Sequence, residues 1–274
     1  MKKIIDKINH WIAGHEIIAT ILVSIICCGL YTVLFRKQFS SSILVVLGNV
    51  FVVYLCWRFV TYRKYVIINK AFDALDRECD PYPLIEETTL LLRSLAHSKD
   101  NTQMFIMYQH NALSHAGEYD KAYAVLGTMQ PEKMSKKFVE SMVILKHYYM
   151  FSICDKMGRD DEADAWFEKM EDAYGAAKDP LTATRVGRSV ENARVINMCR
   201  KGEYDEALEI LNEGKAETNL TKVLRAMRFA RIYLGMGDTE AARENLEFVA
   251  GHGGKLYYVE RAKSLLAMLD NEEN

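Results

Sequence analysis

Proline is scarce in this sequence, with 4 in 274 residues, and glycine is modest at 15. Such a composition excludes a low-complexity linker and argues against a turn-rich β-protein. Excess charge of one sign is also lacking: the formal net charge is −2. Bulk electrostatics therefore point neither to nucleic acid nor to a solvating acidic tail. The six cysteines contain no C-x-x-C pair, which removes the zinc ribbon and the thioredoxin-like site. Cys27, Cys28 and Cys56 lie in apolar runs, and Cys79, Cys154 and Cys199 are scattered. All are expected to be reduced and buried, as in a cytosolic domain.

Catalytic patterns are lacking too. None of the histidines (His10, His15, His97, His110, His115, His147, His252) forms an H-x-x-x-H pair. His110 and His115 are five apart and are expected to diverge around a helix. Gly251-His-Gly-Gly-Lys255 lacks the leading glycine and the trailing Ser or Thr of a phosphate loop, so it reads as a flexible helix–helix connection. Asp160, Asp161, Glu162 and Asp164 open a helix, where the dipole explains them. No nucleophile elbow is present. The expectation is no enzyme, no metal, no cofactor and no evident small-molecule substrate.

What the chain does have is long apolar runs near its N-terminus. Residues 17–35 carry no charge, and such a helix spans roughly 28 Å, close to the hydrocarbon thickness of a bilayer. A second uncharged run extends from Phe39 to Trp57, followed by Arg58, with Trp57 and Tyr62 as interfacial anchors. The two runs predict a transmembrane hairpin turning at Arg36, Lys37 and Gln38. Lys2, Lys3 and Lys7 precede it, and Arg58, Arg63, Lys64, Lys70 and Arg77 follow. The positive-inside rule places both termini in the cytoplasm of a cell-membrane protein. No A-x-A site follows the first run, and Ile26 precedes Cys27, so neither a cleaved signal peptide nor a lipoprotein signal fits. Ile4, Ile5, Ile8, Trp11 and Ile12 recur at helical spacing and fit either a short interfacial helix or a frayed amphipathic tail.

From Tyr65 onward the apolar period is near 3.6. Ile68, Phe72, Leu75 and Cys79 form one stripe, on a helix continuous with the second span and ended by Asp80-Pro81. Residues 84–95 form the next helix. A motif then recurs: Gly117-Glu-Tyr-Asp-Lys-Ala122 with Leu126, Gly158-Arg-Asp-Asp-Glu-Ala163 with Phe167, Gly202-Glu-Tyr-Asp-Glu-Ala207 with Leu211, and Gly237-Asp-Thr-Glu-Ala-Ala242 with Leu246. The glycines are 41, 44 and 35 residues apart. Each glycine supplies a left-handed helix end, each acidic run starts the next helix, and each alanine lets antiparallel helices approach. The large apolar residue four positions on fills the space between them. Hairpins of this kind bury their apolar faces by stacking.

Over roughly residues 103–250 this pattern resembles the tetratricopeptide repeat (TPR) family. Ala226, Phe229, Ala230 and Tyr233 match its small and aromatic sites, while Gln109, His110 and Arg194 depart from its pattern. Spacings of 41 and 44 imply longer loops or helices than the family's unit. The organisation expected is all-α: a short amphipathic segment (1–15), a two-span transmembrane hairpin (16–62), a helical connector pair (63–102), and TPR-like repeats with a C-terminal capping helix from residue 256 (103–274).

The resemblance places His115, Lys156 and Arg200, each two residues before a motif glycine, toward a concave groove. Arg225, Arg228 and Arg231 add charge there. Asn111 stands at a position that binds peptide backbone in many family members. Together these imply either a basic groove for an acidic protein or C-terminal peptide segment, or cations near helix C-termini that complement the dipole and stay solvated. The expected function is a membrane-anchored cytoplasmic scaffold or adaptor contacting the lipid bilayer and a protein partner, with no nucleic acid. The alternative is a structural or assembly subunit whose transmembrane helices make the main contacts.

Overall fold

The computed structural model describes residues 15–35, 42–93 and 99–272, together with residues 8 and 11. The described residues form helices and turns with no strand. The helices are α1 (Glu16–Phe35), α2 (Ser42–Glu78), α3 (Tyr82–Arg93), α4 (Lys99–His115), α5 (Tyr119–Gly127), α6 (Lys136–Lys156), α7 (Asp160–Gly175), α8 (Pro180–Lys201), α9 (Tyr204–Glu213), α10 (Asn219–Met236), α11 (Thr239–His252) and α12 (Tyr257–Glu272). A short 3-10 turn covers Pro131–Lys133. The chain divides into two compact units, one of Met1–Ala71 with Glu86–Ser98, the other of Phe72–Ile85 with Lys99–Asn274.

In the first unit, α1 and α2 turn many of their apolar side chains outward. Ile25 is 65% exposed, Val33 79% and Ile43 70%. Between the two helices the Asn49 amide donates to the Thr32 hydroxyl at 3.4 Å, and that hydroxyl donates to the Cys28 carbonyl at 2.8 Å. The Tyr31 ring lies against Gly48, where a Cβ would collide with its hydroxyl oxygen. One helix segment, Val45–Glu78, is long and apolar enough to cross a membrane, whereas the apolar stretch Ile18–Leu34 is shorter. The second apolar helix thus runs well past Trp57, as the stripe to Cys79 predicted. The interfacial segment 1–15 and the turn at Arg36–Gln38 lie largely or wholly outside the described residues.

The second unit holds the repeats. Four helix pairs (α4–α5, α6–α7, α8–α9, α10–α11) follow one another, and each pair is joined at a motif glycine. Gly117, Gly158, Gly202 and Gly237 all have φ between 68° and 79°. The residue after each glycine donates to a carbonyl five positions back: Glu118 to Leu113, Arg159 to Cys154 and Glu203 to Met198 at 3.0 Å, and Asp238 to Tyr233 at 2.9 Å. This Schellman closure satisfies end carbonyls that would otherwise be orphaned. Ala122, Ala163, Ala207 and Ala242 are each fully buried. Their small size lets the paired helices approach, and Phe151, Ile144, Met170 and Val190 fill the space around Ala122 and Ala163.

The irregular spacing has a local cause. Helices α6 and α8 are 21 and 22 residues long, against 17 and 18 for α4 and α10. The two long helices add about one turn each, the 16-residue α7 adds nearly two more over the 10-residue α9 before Gly202, and the longer connection at 128–135 accounts for the rest of the 41. Arg194, at a site usually held by leucine in the resembled family, instead makes a two-pronged ion pair with Glu171 at 2.8 Å. His110, at a small-residue site, is buried and donates from Nδ1 to the Ala122 carbonyl at 3.0 Å.

The array returns on itself. The last helix, α12, packs on α11, as a capping helix would. It also reaches the first pair: the Tyr257 and Tyr119 rings are 5.4 Å apart, and Tyr258 and His115 6.3 Å. The connection before it joins two helices, as its sequence reading has it, and makes specific contacts. A Cβ on Gly254 would collide with the Glu78 carbonyl oxygen. Lys255 donates from its backbone N–H to the Cys79 carbonyl at 3.0 Å and from its ammonium to Asp80 at 2.6 Å. The Asn219 amide donates to the Arg77 and His252 carbonyls at 3.3 and 3.2 Å. Cys79, the one non-glycine residue at positive φ among the described residues, is buried in this clasp.

Candidate functional site

The inner helices of all four pairs, with Tyr119 of α5 and the last helix, surround one cavity of about 780 Å³. That is within the range of small-ligand sites. Its residues come from regular helical spacing. His110, Asn111, Ser114 and His115 line it from α4; Tyr148, Ser152, Asp155 and Lys156 from α6; Ser189, Asn192 and Ile196 from α8. The α10 contribution includes Leu224, Arg228 and Arg231, and the α12 contribution includes Tyr258, Arg261 and Leu265.

The charge on this lining is uneven. Among the described residues, Lys156, Arg228, Arg231 and Arg261 face a single carboxylate, Asp155. Arg231 holds Asp155 in a two-pronged pair at 3.0 and 3.2 Å. Lys156 donates to the Ser114 hydroxyl at 2.8 Å and lies 5.6 and 6.0 Å from the Tyr258 and Tyr119 ring centroids. Arg228 donates to the Asn192 side-chain oxygen at 2.7 Å. Among the described residues neither Lys156 nor Arg228 makes an ion pair.

Two histidines line the same cavity. Burial pushes the His110 imidazole down to about 4, with the Lys156 charge adding and the bond to Ala122 opposing. Burial pushes His115 further, to about 3, aided by the charges of Lys156, His110 and Arg228. Both rings are therefore neutral at neutral pH. His115 Nδ1 is buried without a hydrogen-bond partner. Burial also raises the Tyr119 and Tyr149 phenols well above their ordinary range.

Of the residues expected at a groove, Asn111, His115, Lys156, Arg228 and Arg231 line the cavity. Arg200 does not. Asp160 and Asp164 of α7 draw it outward at 3.2 and 2.6 Å, with its guanidinium 5.9 Å from the Phe151 ring. Arg225 is also turned away, donating to the Asn212 carbonyl at 3.2 Å. His110 and His115, expected to diverge, both reach the lining because α4 is enclosed on both sides, by α5 and by α12. No metal-ligand cluster occurs among the described residues. Sequence reasoning missed Asp155, Asn192, Tyr258 and Arg261. The available signal was a polar and aromatic stripe at spacings of three and four on α4 and α6.

Residues 192–217 match the model of the PPR repeat, a helical repeat of the TPR-like kind. The match spans the end of α8, Gly202 and α9, which is the third hairpin of the array. No curated protein and no solved structure matches the chain. The match and the four closed hairpins agree on a helical-repeat protein.

Proposed function

We propose that the chain is a membrane-anchored, non-catalytic adaptor whose helical-repeat array receives an acidic segment of a protein partner. The carrying observation is the cavity itself, where four cations meet one carboxylate among the described residues. Outward-facing apolar side chains on α1 and α2 support a two-span anchor, and the positive charges flanking it support cytoplasmic termini. Tethering raises the local concentration of the array near other membrane proteins. The single PPR match favours a second reading, single-stranded RNA read one base per repeat. Two observations weigh against it: the formal charge is −2, and the cations gather at one cavity that also carries Asp155 instead of forming a basic track along the repeats.

The test is photo-crosslinking in native membranes from Ser152 or Asn192, with Glu209 as an outer-surface control. A protein adduct from the lining positions alone supports the adaptor. RNA in the adduct supports the second reading, and adducts from Glu209 alone overturn both. A reporter after Asn274 should lie in the cytoplasm; an extracytoplasmic reporter overturns the orientation.

A further inference from the structure

Lys156 and Arg228 are partly buried cations whose hydrogen-bond partners, a serine hydroxyl and an asparagine amide, are neutral. Cations withdrawn from water favour a counter-charge. The one carboxylate on the described lining is already engaged by Arg231 on the cavity side and lies 3.8 Å from Arg200. Beside the two cations, His115 Nδ1 is buried and unpartnered. Leu220, Leu224 and Leu265 supply an apolar wall. A cationic end and an apolar wall in one cavity fit an amphipathic anion.

We propose that the cavity anchors a carboxylate. Lys156 and Arg228 take its oxygens beside His115, and the leucines receive an adjoining apolar part. A guanidinium matches a carboxylate with two parallel hydrogen bonds. Asp155 on the same lining opposes a dianion, so a singly charged group fits better than a phosphate. The carboxylate can come from a free small acid or from an acidic peptide residue. The peptide source rests on the adaptor reading; the small-acid source does not.

The experiment uses the full chain in lipid nanodiscs, with calorimetric titration against an empty-nanodisc blank. The probes are 4-phenylbutyrate, its neutral amide 4-phenylbutyramide, and the peptide acetyl-Leu-Glu-Leu-amide. The acid is expected to bind at least tenfold more tightly than the amide. Lys156→Gln and Arg228→Gln each keep a hydrogen bond to the present neutral neighbour and should each weaken the acid about tenfold at unchanged melting temperature. Binding of the peptide as well supports the peptide source. Binding of the acid alone supports the anchor and removes the adaptor's peptide from this cavity. Equal binding of acid and amide, undiminished binding in both variants, or binding of none of the probes overturns the proposal. The acid–amide comparison uses the unmodified chain, so it decides the matter even if a variant fails to fold.

Discussion

Ile25 and Ile144 are the same residue on similar helices, yet Ile25 is 65% exposed and Ile144 fully buried. In the repeat array, apolar side chains face neighbouring helices and motif alanines. In α1 and the first half of α2 many of them face outward, with Ala19, Cys56 and Val60 among the buried exceptions. A helix that is apolar all round is at rest only when something apolar surrounds it. The array needs no such surroundings, because each hairpin covers the next. One chain thus combines a part whose apolar side chains are largely covered by its own helices with a part where many of them are exposed.

This contrast can be broken at specific residues. Phe151 is fully buried at the centre of the array, so Phe151→Ala is expected to cost about 3–5 kcal/mol, read by chemical denaturation. An unchanged midpoint would mean that the array is not packed as described. Ile25→Arg places a charge in the first apolar run, at about 3 kcal/mol if that run lies in hydrocarbon. Carbonate-resistant membrane association should fall, while Leu181→Arg, at a 54% exposed array position, changes neither association nor melting. Equal behaviour of the two variants would remove the distinction between the regions.

Acid should weaken the array. His110 and His115 have folded values near 4 and near 3 against 6.5 for the free side chain. The unfolded chain therefore binds more protons as pH falls below about 6.5, and stability falls with it until pH reaches the folded values. Melting temperature is expected to drop progressively from pH 6.5 to 4, and His115→Phe should flatten that slope. A slope that His115→Phe leaves unchanged would contradict a buried neutral imidazole. The smallest effect is local. Gly202 has φ 78° with nothing near its missing Cβ, so Gly202→Ala should cost about 1–2 kcal/mol from backbone conformation alone. Gly117→Ala should cost more, because its Cβ would also strike the Tyr257 ring 2.5 Å away.

The hairpins were legible because each carries its signal locally. A glycine, an acidic start, a small residue and a large one recur within about ten positions, and geometry follows from those alone. Helix α2 was legible for the same reason, since one apolar stripe runs on to Cys79. The cavity was only half legible. Helical spacing places Asn111, Lys156, Arg228 and Arg231 on inner faces, but Arg200 had equal claim until Asp160 and Asp164 competed for it. That competition depends on where α7 sits beside α8, a long-range fact. The approach of Tyr258 to His115 joins residues 143 apart in the chain, and no local pattern encodes it. The Gly251–Lys255 segment was legible as a helix–helix connection, but not its contacts, because glycines that allow mobility also allow close backbone approach.

The clasp around Cys79 changes how the array should behave as a material. An open stack of repeats has two free ends and loosens from either one, so its end units exchange and fray independently. Here residues 77–80 are tied to Asn219 and Lys255, Asn219 also holds the His252 carbonyl, and the α12 residue Tyr257 lies against Tyr119 after the first motif glycine. With its ends joined, the stack resembles a closed band more than a spring. Loosening one end must loosen the other, and the cavity inside widens or narrows as one object. Anything that enters it therefore acts on every repeat at once.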